Sequence, residues 1–187
     1  MIYYAIGFLV FGMYILYDVN SVLWNHRVLH ASFLGGSVLL AGATVWQTVE
    51  VMRSGTTGWY TWLFLVPAVF FLALLIYTLF FALPFEATYL QSDSGKAVVY
   101  DCGMYALCRH PGVLWFFLFY LCLGAAFYPS GILRTGLFYS VLNVGYIVFQ
   151  DCWTFPHIFE DYGRYKETTP FLIPGRSSVL KMIRTWK

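Results

Sequence analysis

Long apolar stretches, separated by short polar ones, run along the first 150 residues of the chain. A helix that crosses a bilayer needs about 20 predominantly apolar residues, and five windows of this kind lie between the charged positions. We therefore expect five transmembrane helices, over about residues 2–20, 32–52, 59–83, 111–128 and 132–150. A turn signal, Pro129-Ser130-Gly131, separates the last two windows, so these two helices should form a hairpin. The pattern predicts an all-α integral membrane protein with a single membrane domain over residues 1–187.

The composition indicates the same class. Hydrophobic residues make up 60% of the chain and charged residues 11%, whereas soluble domains have about 45–50% and about 25%. The net charge of +2 is too small to indicate a nucleic-acid partner. The four cysteines form no C-x-x-C pair, so no metal site or redox dithiol is predicted. The expected partner is the bilayer, and the sequence leaves the oligomeric state open.

The distribution of basic residues predicts the orientation. Cytoplasmic loops carry an excess of Lys and Arg, and an odd number of spans puts the two termini on opposite sides. If the C-terminus is cytoplasmic, that side holds nine basic residues against two, Arg53 and Arg134, on the other. The nine are Arg27, Lys96, Arg109, Arg164, Lys166, Arg176, Lys181, Arg184 and Lys187. We expect the N-terminus outside, and no cleavable signal peptide is evident. The arrangement suits a bacterial or archaeal inner membrane.

Two segments differ from the apolar pattern, residues 84–109 and 151–187, and both are predicted on the cytoplasmic face. Within the second, residues 161–167 have the pattern of a short amphipathic helix. Chemistry with a water-soluble reagent is expected in these segments, because most of the charged side chains are there.

Arg109 and His110 stand where the first polar segment turns into the fourth apolar window. A helix start offers unpaired N–H groups and a positive dipole end, so with these side chains it suits a carboxylate or phosphate. The alternative is anchoring, in which the Arg reaches the head groups and Pro111 starts the helix. Gln150-Asp151 at the end of the fifth window has two interpretations as well. The pair is either an ordinary span boundary, or Asp151 faces the same mouth and holds a cationic or hydroxyl-bearing ligand.

These clusters resemble one family. The stretch Gly103-x-Tyr105-x-x-x-Arg109-His110-Pro111 resembles the G-x-Y-x-x-x-R-H-P motif of the isoprenylcysteine carboxyl methyltransferase-like family, whose relatives include phospholipid methyltransferases. Downstream, Tyr162-x-x-Tyr165 and residues 169–174 are similar to that family's Y-x-x-Y…T-P-x-L-I-P ending. The resemblance covers about residues 97–174, which would be the catalytic core.

The resemblance implies an S-adenosylmethionine-dependent methyltransferase whose cytoplasmic loop and C-terminal tail form the cofactor pocket. The acceptor would be a membrane-embedded lipid or lipidated small molecule. A pair of Glu residues that completes the family's pocket aligns with Gln150 and Asp151. The cofactor-binding residues implied are Val98, Val99, Tyr100, Tyr105, His110, Pro111, Gly112, Val113, Gln150 and Asp151.

The chain also departs from the family pattern. Gln-Asp replaces the acidic pair, and Val113 stands where an aromatic residue is usual. The Arg expected about a turn before the pair is missing from residues 146–149. A prenylcysteine carboxylate is therefore a less expected acceptor than the family name suggests.

Three residues are candidates for catalysis: Arg109, His110 and Asp151. Arg109 would orient a carboxylate acceptor, whereas an amine acceptor needs a base, for which His110 and Asp151 are the nearby groups. Two other functions stay open. The chain is alternatively a non-enzymatic relative, such as a lipid-binding accessory protein, or a nicotinamide-dependent membrane reductase with the same pocket.

Overall fold

The computed structural model describes residues 1–55, 57–82 and 97–186. These residues form α-helices and two π-helical turns, and none of them belongs to a strand longer than an isolated bridge. The helices are α1 (Ile2–Val19), α2 (Arg27–Arg53), α3 (Trp59–Phe80), α4 (Met104–Leu107), α5 (Pro111–Ala126), α6 (Ile132–Phe149), α7 (Phe155–Ile158), α8 (Tyr162–Thr168) and α9 (Arg176–Thr185). The π-helical turns, Asn20–Trp24 and Gln150–Thr154, extend α1 and α6.

Four helical stretches are long and apolar enough to cross a membrane: Ile2–Trp24, Arg27–Arg53, Trp59–Phe80 and Ile132–Ile158. This confirms the all-helical class and is compatible with a multi-pass membrane protein. α5 is apolar but has 16 residues, or about 24 Å of helix, less than the roughly 30 Å of a bilayer core. The fifth span and the orientation stay predictions.

Some helical stretches extend beyond the predicted span limits. Asp18 and Asp151 are both buried, and the helical path runs past them, to Trp24 and to Ile158. α2 begins at Arg27, earlier than the predicted residue 32, after a turn in which the Asn20 side chain accepts from and donates to the His26 backbone. Buried polar partners therefore allow helices to continue through these charges.

Some predictions fall on residues that are not described. The predicted end of the third span at residue 83 lies outside the described residues, since α3 is described to Phe80. The same holds for residues 84–96 of the polar loop, which include Lys96, and for Lys187.

The long helices pack as one bundle. α1 lies against α2 and α6, α6 packs on α5 as the turn signal predicts, and α3 packs along α5. Aromatic side chains pack inside the bundle, among them the buried Phe11, Tyr120 and Tyr139. Many large apolar side chains face outward instead, such as Trp62 and Val141, each 69% exposed. An outer surface of this kind suits lipid.

Hydrogen bonds also join the helices inside the bundle. Gln47 on α2 donates to the hydroxyl of Thr135 on α6 at 3.0 Å. Thr44 on α2 shares a 2.5 Å hydrogen bond with Tyr120 on α5. Polar groups within an apolar bundle usually bond to a neighbouring helix, and these two bonds fix α2 against the α5–α6 hairpin.

The C-terminal helix α9 packs on α4, close to the described part of the polar loop. Lys181 pairs with Asp101 at 2.6 Å, and Trp186 stacks on Tyr77 near the end of α3 with 5.9 Å between ring centroids. The tail is thereby held against the same end of the bundle as residues 97–110.

Gly124 lets α5 and α6 approach each other closely in the hairpin. A Cβ on Gly124 would lie 2.6 Å from the Cα of Leu133. Because this neighbour is rigid backbone, Gly124→Ala should push α5 and α6 apart and cost about 1–3 kcal/mol of stability. Thermal unfolding in a mild detergent measures the loss.

Gly145→Ala is the matched control, since a Cβ there meets nothing within 4 Å. This variant should be neutral or slightly stabilising, because Ala favours helix over Gly. Equal unfolding temperatures for the two variants would contradict the packing argument.

Candidate functional site

The carboxylate of Asp151 lies at the centre of a buried polar cluster. Tyr162 donates its hydroxyl hydrogen to Oδ1 at 2.7 Å, and Nζ of Lys166 lies 2.8 Å from Oδ2. Nε of Arg109 lies 3.0 Å from Oδ1, although its N–H makes no hydrogen bond there, and Nε2 of His110 lies 3.4 Å from the same oxygen. We call these five residues the Asp151 cluster. They come from α6's extension, the residues before α5, and α8.

Backbone contacts hold these segments together. The Arg109 N–H donates to the Pro170 carbonyl at 2.9 Å, and Nη1 of Arg109 donates to the Lys166 carbonyl at 3.2 Å. The Tyr165 hydroxyl donates to the Tyr105 carbonyl at 2.6 Å. At Gly103, before α4, φ is +55°, a backbone conformation that residues other than glycine rarely adopt. The motif residues therefore lock the polar loop onto the tail.

The cluster carries an excess of positive charge at neutral pH. Burial lowers the pKa of His110 to about 4, against a smaller opposite effect of Asp151, so its imidazole is neutral. Burial also raises the pKa of Tyr162, which keeps its hydroxyl as a hydrogen donor. The remaining charges are the Arg109 and Lys166 cations and one carboxylate. Their sum favours a bound anion.

Aromatic rings surround the cationic and imidazole groups of the cluster. His110 stacks on Phe155 at 5.7 Å and meets the edge of Phe171 at 5.2 Å. The Arg109 guanidinium lies 5.3 Å from the centre of the Phe171 ring. These contacts fix the orientation of both side chains and reduce their exposure to water.

A cavity of about 800 Å³ extends from this cluster into the helical bundle. Nine of the ten residues implied as cofactor-binding border it, together with Arg109: Val98, Val99, Tyr100, Tyr105, His110, Pro111, Gly112, Val113 and Gln150. The other end is lined by α1, α2, α3, α5 and α6, with Phe11, Leu40, Leu72 and Phe116 among its walls. One cavity thus has a polar end and an apolar end.

Asp151 occupies a different place from the rest of the predicted set. It does not border the cavity, but lies behind Arg109, His110 and Tyr162, which do. Its carboxylate is already engaged by the cluster. The structure therefore brings Arg109, His110 and Asp151 together, with Asp151 as the group that holds the other two in position.

The sequence-based prediction assigned no site role to three residues, Tyr162, Lys166 and Asp18, that the structure places in or near the Asp151 cluster. Tyr162 and Lys166 stand four residues apart, a spacing that places both on one face of a helix, and this signal could have paired them with Asp151. Asp18 is buried near Gln150, and the sequence pattern assigned it no role. Its position as an acid within an otherwise apolar helix was the available signal.

No family model, curated protein or solved structure matches the chain. The geometry of the described residues and the motif residues themselves therefore carry the functional interpretation.

The buried His110 predicts a dependence of stability on pH. Its folded-state pKa of about 4 lies below the ordinary 6.5, so the folded protein binds fewer protons there than the unfolded chain. The contribution is intact above pH 6.5 and is lost as the pH falls towards 4, by about 3 kcal/mol in total. The unfolding temperature of the wild type in detergent should drop across this range.

His110→Gln removes the titrating group and should show a smaller drop between pH 6.5 and 4. His157→Gln, at an exposed histidine in α7, is the control and should follow the wild type. Parallel curves for all three proteins would contradict the assignment of a buried neutral imidazole.

Proposed function

We propose that the chain is an S-adenosylmethionine-dependent methyltransferase that acts on a membrane-embedded lipid or lipidated small molecule at the cytoplasmic face. The observation that carries the proposal is the single cavity with two unlike ends. The polar end suits a water-soluble donor, and the apolar end between the long helices suits a lipid acceptor. Methyl transfer requires both ligands in one enclosure.

The residues at the polar end fit the donor in size and chemistry. Small-molecule sites have volumes of about 300–1,000 Å³, and the whole cavity has about 800 Å³. The net positive Asp151 cluster suits the carboxylate of the methionine portion. The aromatic walls, Tyr100, Tyr105, Phe155, Phe159 and Tyr162, suit the adenine ring and the sulfonium cation. Thr78 borders the cavity with a buried hydroxyl that has no hydrogen-bond partner among the described residues.

When bound, S-adenosylmethionine supplies an electrophilic methyl group. The chain's own contribution is mainly positioning, because an in-line displacement depends on a near-attack geometry. Arg109 holds the anionic part of the donor, and Asp151 fixes the Arg109 side chain. His110 is neutral at pH 7, so it is available to take a proton from an acceptor that carries one.

The acceptor is proposed to enter from the bilayer. α2 and α3 follow one another in sequence and both line the cavity, yet they make no extensive contact with each other in the described residues. We place the entrance to the apolar end between these two helices. A membrane-embedded acceptor would reach the polar end by this route.

The motif residues support the same reaction class. The stretch from Gly103 to Pro111 and the tail from Tyr162 to Pro174 resemble the isoprenylcysteine carboxyl methyltransferase-like family. In the structure, the polar end of the cavity and the bonds that join the loop to the tail lie at these two segments.

Binding of S-adenosylhomocysteine to the purified protein tests the proposal. We expect saturable binding with a micromolar-range dissociation constant by calorimetry, and its loss in His110→Ala. His157→Ala, at the same end of the bundle but away from the cavity, should bind as the wild type does.

Two results would contradict the methyltransferase. Binding of reduced nicotinamide dinucleotide in place of S-adenosylhomocysteine would favour a membrane reductase. Binding of neither compound would favour a non-enzymatic lipid-binding or accessory protein.

Arg109→Lys tests the guanidinium. A lysine cannot reproduce the contact of Nε with Asp151 and the bond of Nη1 to the Lys166 carbonyl at once. We expect S-adenosylhomocysteine affinity and methyl transfer to membrane lipids to fall by at least about tenfold. Arg164→Lys, at an exposed position on α8, is the matched control, and unchanged turnover in Arg109→Lys would remove Arg109 from the catalytic residues.

A further inference from the structure

A second carboxylate, Asp18, is buried at the same end of the bundle as Asp151. It is 3% exposed and lies in the last turn of α1. Thr154 donates to its Oδ2 at 3.3 Å, and the side chains of Tyr146 and Gln150 lie close enough to interact with the carboxylate. All three partners are uncharged.

The two buried carboxylates differ in their charge balance. Asp151 is neutralised by Arg109 and Lys166, whereas no described Lys, Arg or His forms an ion pair with Asp18. A carboxylate inside an apolar bundle is costly without a counter-charge. Ionisable groups at such positions commonly serve a ligand or a proton path.

Tyr146 and Gln150 connect Asp18 to the cavity. Both border it, and Nε2 of Gln150 donates to the Tyr146 hydroxyl at 2.9 Å. The amide of Gln150 thus lies beside both the Tyr146 hydroxyl and the Asp18 carboxylate. The cavity wall at this point therefore contains two polar side chains with a buried carboxylate behind them.

Aromatic rings complete this part of the wall. Tyr14 and Tyr146 have ring centroids 5.5 Å apart, and Phe11 lies 5.5 Å from Tyr14 and 6.4 Å from Tyr146. All three rings border the cavity. Aromatic faces attract organic cations, and quaternary ammonium groups in particular are recognised by such clusters.

We propose that Asp18, Tyr146 and Gln150, with the rings of Phe11 and Tyr14, form a binding site for the ammonium head group of a membrane amphiphile. Tyr146, Gln150 and the rings touch the cation, and Asp18 is a positioning residue that supplies the counter-charge through them. The cavity then has an anion-binding part at the Asp151 cluster and a cation-binding part at the end of α1.

The proposal specifies the acceptor class, and in this respect it rests on the proposed methyltransferase function. The acceptor is an amine on an apolar chain rather than a carboxylate. Its chain lies along the apolar walls of α2, α3 and α5, and its nitrogen lies near the polar end. The binding of the cation itself does not depend on methyl transfer.

Binding of matched eight-carbon probes tests the site. Octyltrimethylammonium, octanol and octanoate are titrated by calorimetry into the protein in a non-ionic maltoside detergent, at concentrations below those at which the probes form micelles. The wild type should bind the ammonium probe at least about tenfold more tightly than octanol, and octanoate most weakly, because charge pairing and ring contacts act on the cation alone.

Variants of Asp18 test whether its carboxylate causes the preference for the ammonium probe. Asp18→Asn should reduce the preference for ammonium over octanol by about tenfold, and Asp18→Glu should retain most of it, since the charge is kept. Glu50→Gln changes an acid outside the cavity lining, on α2, and should leave the preference unchanged. If Asp18→Asn fails to fold, the wild-type selectivity and Gln150→Glu, which should strengthen ammonium binding, provide the test.

Equal binding of the three probes by the wild type would overturn the proposal, and so would a preference that Asp18→Asn leaves intact. The sulfonium of S-adenosylmethionine is another organic cation. If Asp18→Asn weakens S-adenosylmethionine relative to the uncharged-sulfur S-adenosylhomocysteine and spares the ammonium preference, the sulfonium is the occupant and the ammonium assignment is wrong.

The same samples separate this site from the proposed function. An ammonium preference without S-adenosylhomocysteine binding contradicts the methyltransferase and supports the cation site. S-adenosylhomocysteine binding without any ammonium preference contradicts the cation site and supports the methyltransferase.

Discussion

The compensation of a carboxylate inside an apolar bundle is the constraint on which the architecture depends. Asp151 can be buried only because a guanidinium and an ammonium reach it from separate segments. The contacts with this one carboxylate therefore join the extension of α6 to the residues before α5 and to α8. The cavity owes its polar wall to that joining, since Arg109, His110 and Tyr162 turn one side to Asp151 and border the cavity with another.

The buried charges also differ between the two parts of the cavity wall. In the low dielectric of a helical bundle, charges interact with one another more strongly than they would in water. The Asp151 cluster carries a net positive charge, and Asp18 has only neutral partners among the described residues. A ligand with a negative and a positive group, or two ligands of opposite charge, would therefore be oriented before any specific contact forms.

The sequence predicted the helical class and the vicinity of the site because both depend on simple patterns. Apolar windows of about 20 residues identify long helices, and Arg109-His110 stood at a helix start beside a polar loop. The helical stretches run on to Trp24 and Ile158, past the predicted limits at residues 20 and 150, because a charge with buried partners need not end a helix. Burial of a charge depends on partners that are distant in sequence, such as Lys166 for Asp151, and no local pattern reports these. The close approach of Gly124 to Leu133 is likewise a property of the pair of helices.

The π-helical turn Gln150–Thr154 follows directly on α6 and changes which side of the helix its residues face. A wider turn takes up about one residue more than an α-helical turn, and one residue corresponds to about 100° of rotation. The residues after the turn are thus out of phase with those before it. Val141 and Val148 are exposed on α6, whereas Asp151 and Thr154, within the turn, are buried. The extra residue of the turn thus lets one continuous helical path combine an exposed apolar surface along α6 with a buried polar group of side chains at its end.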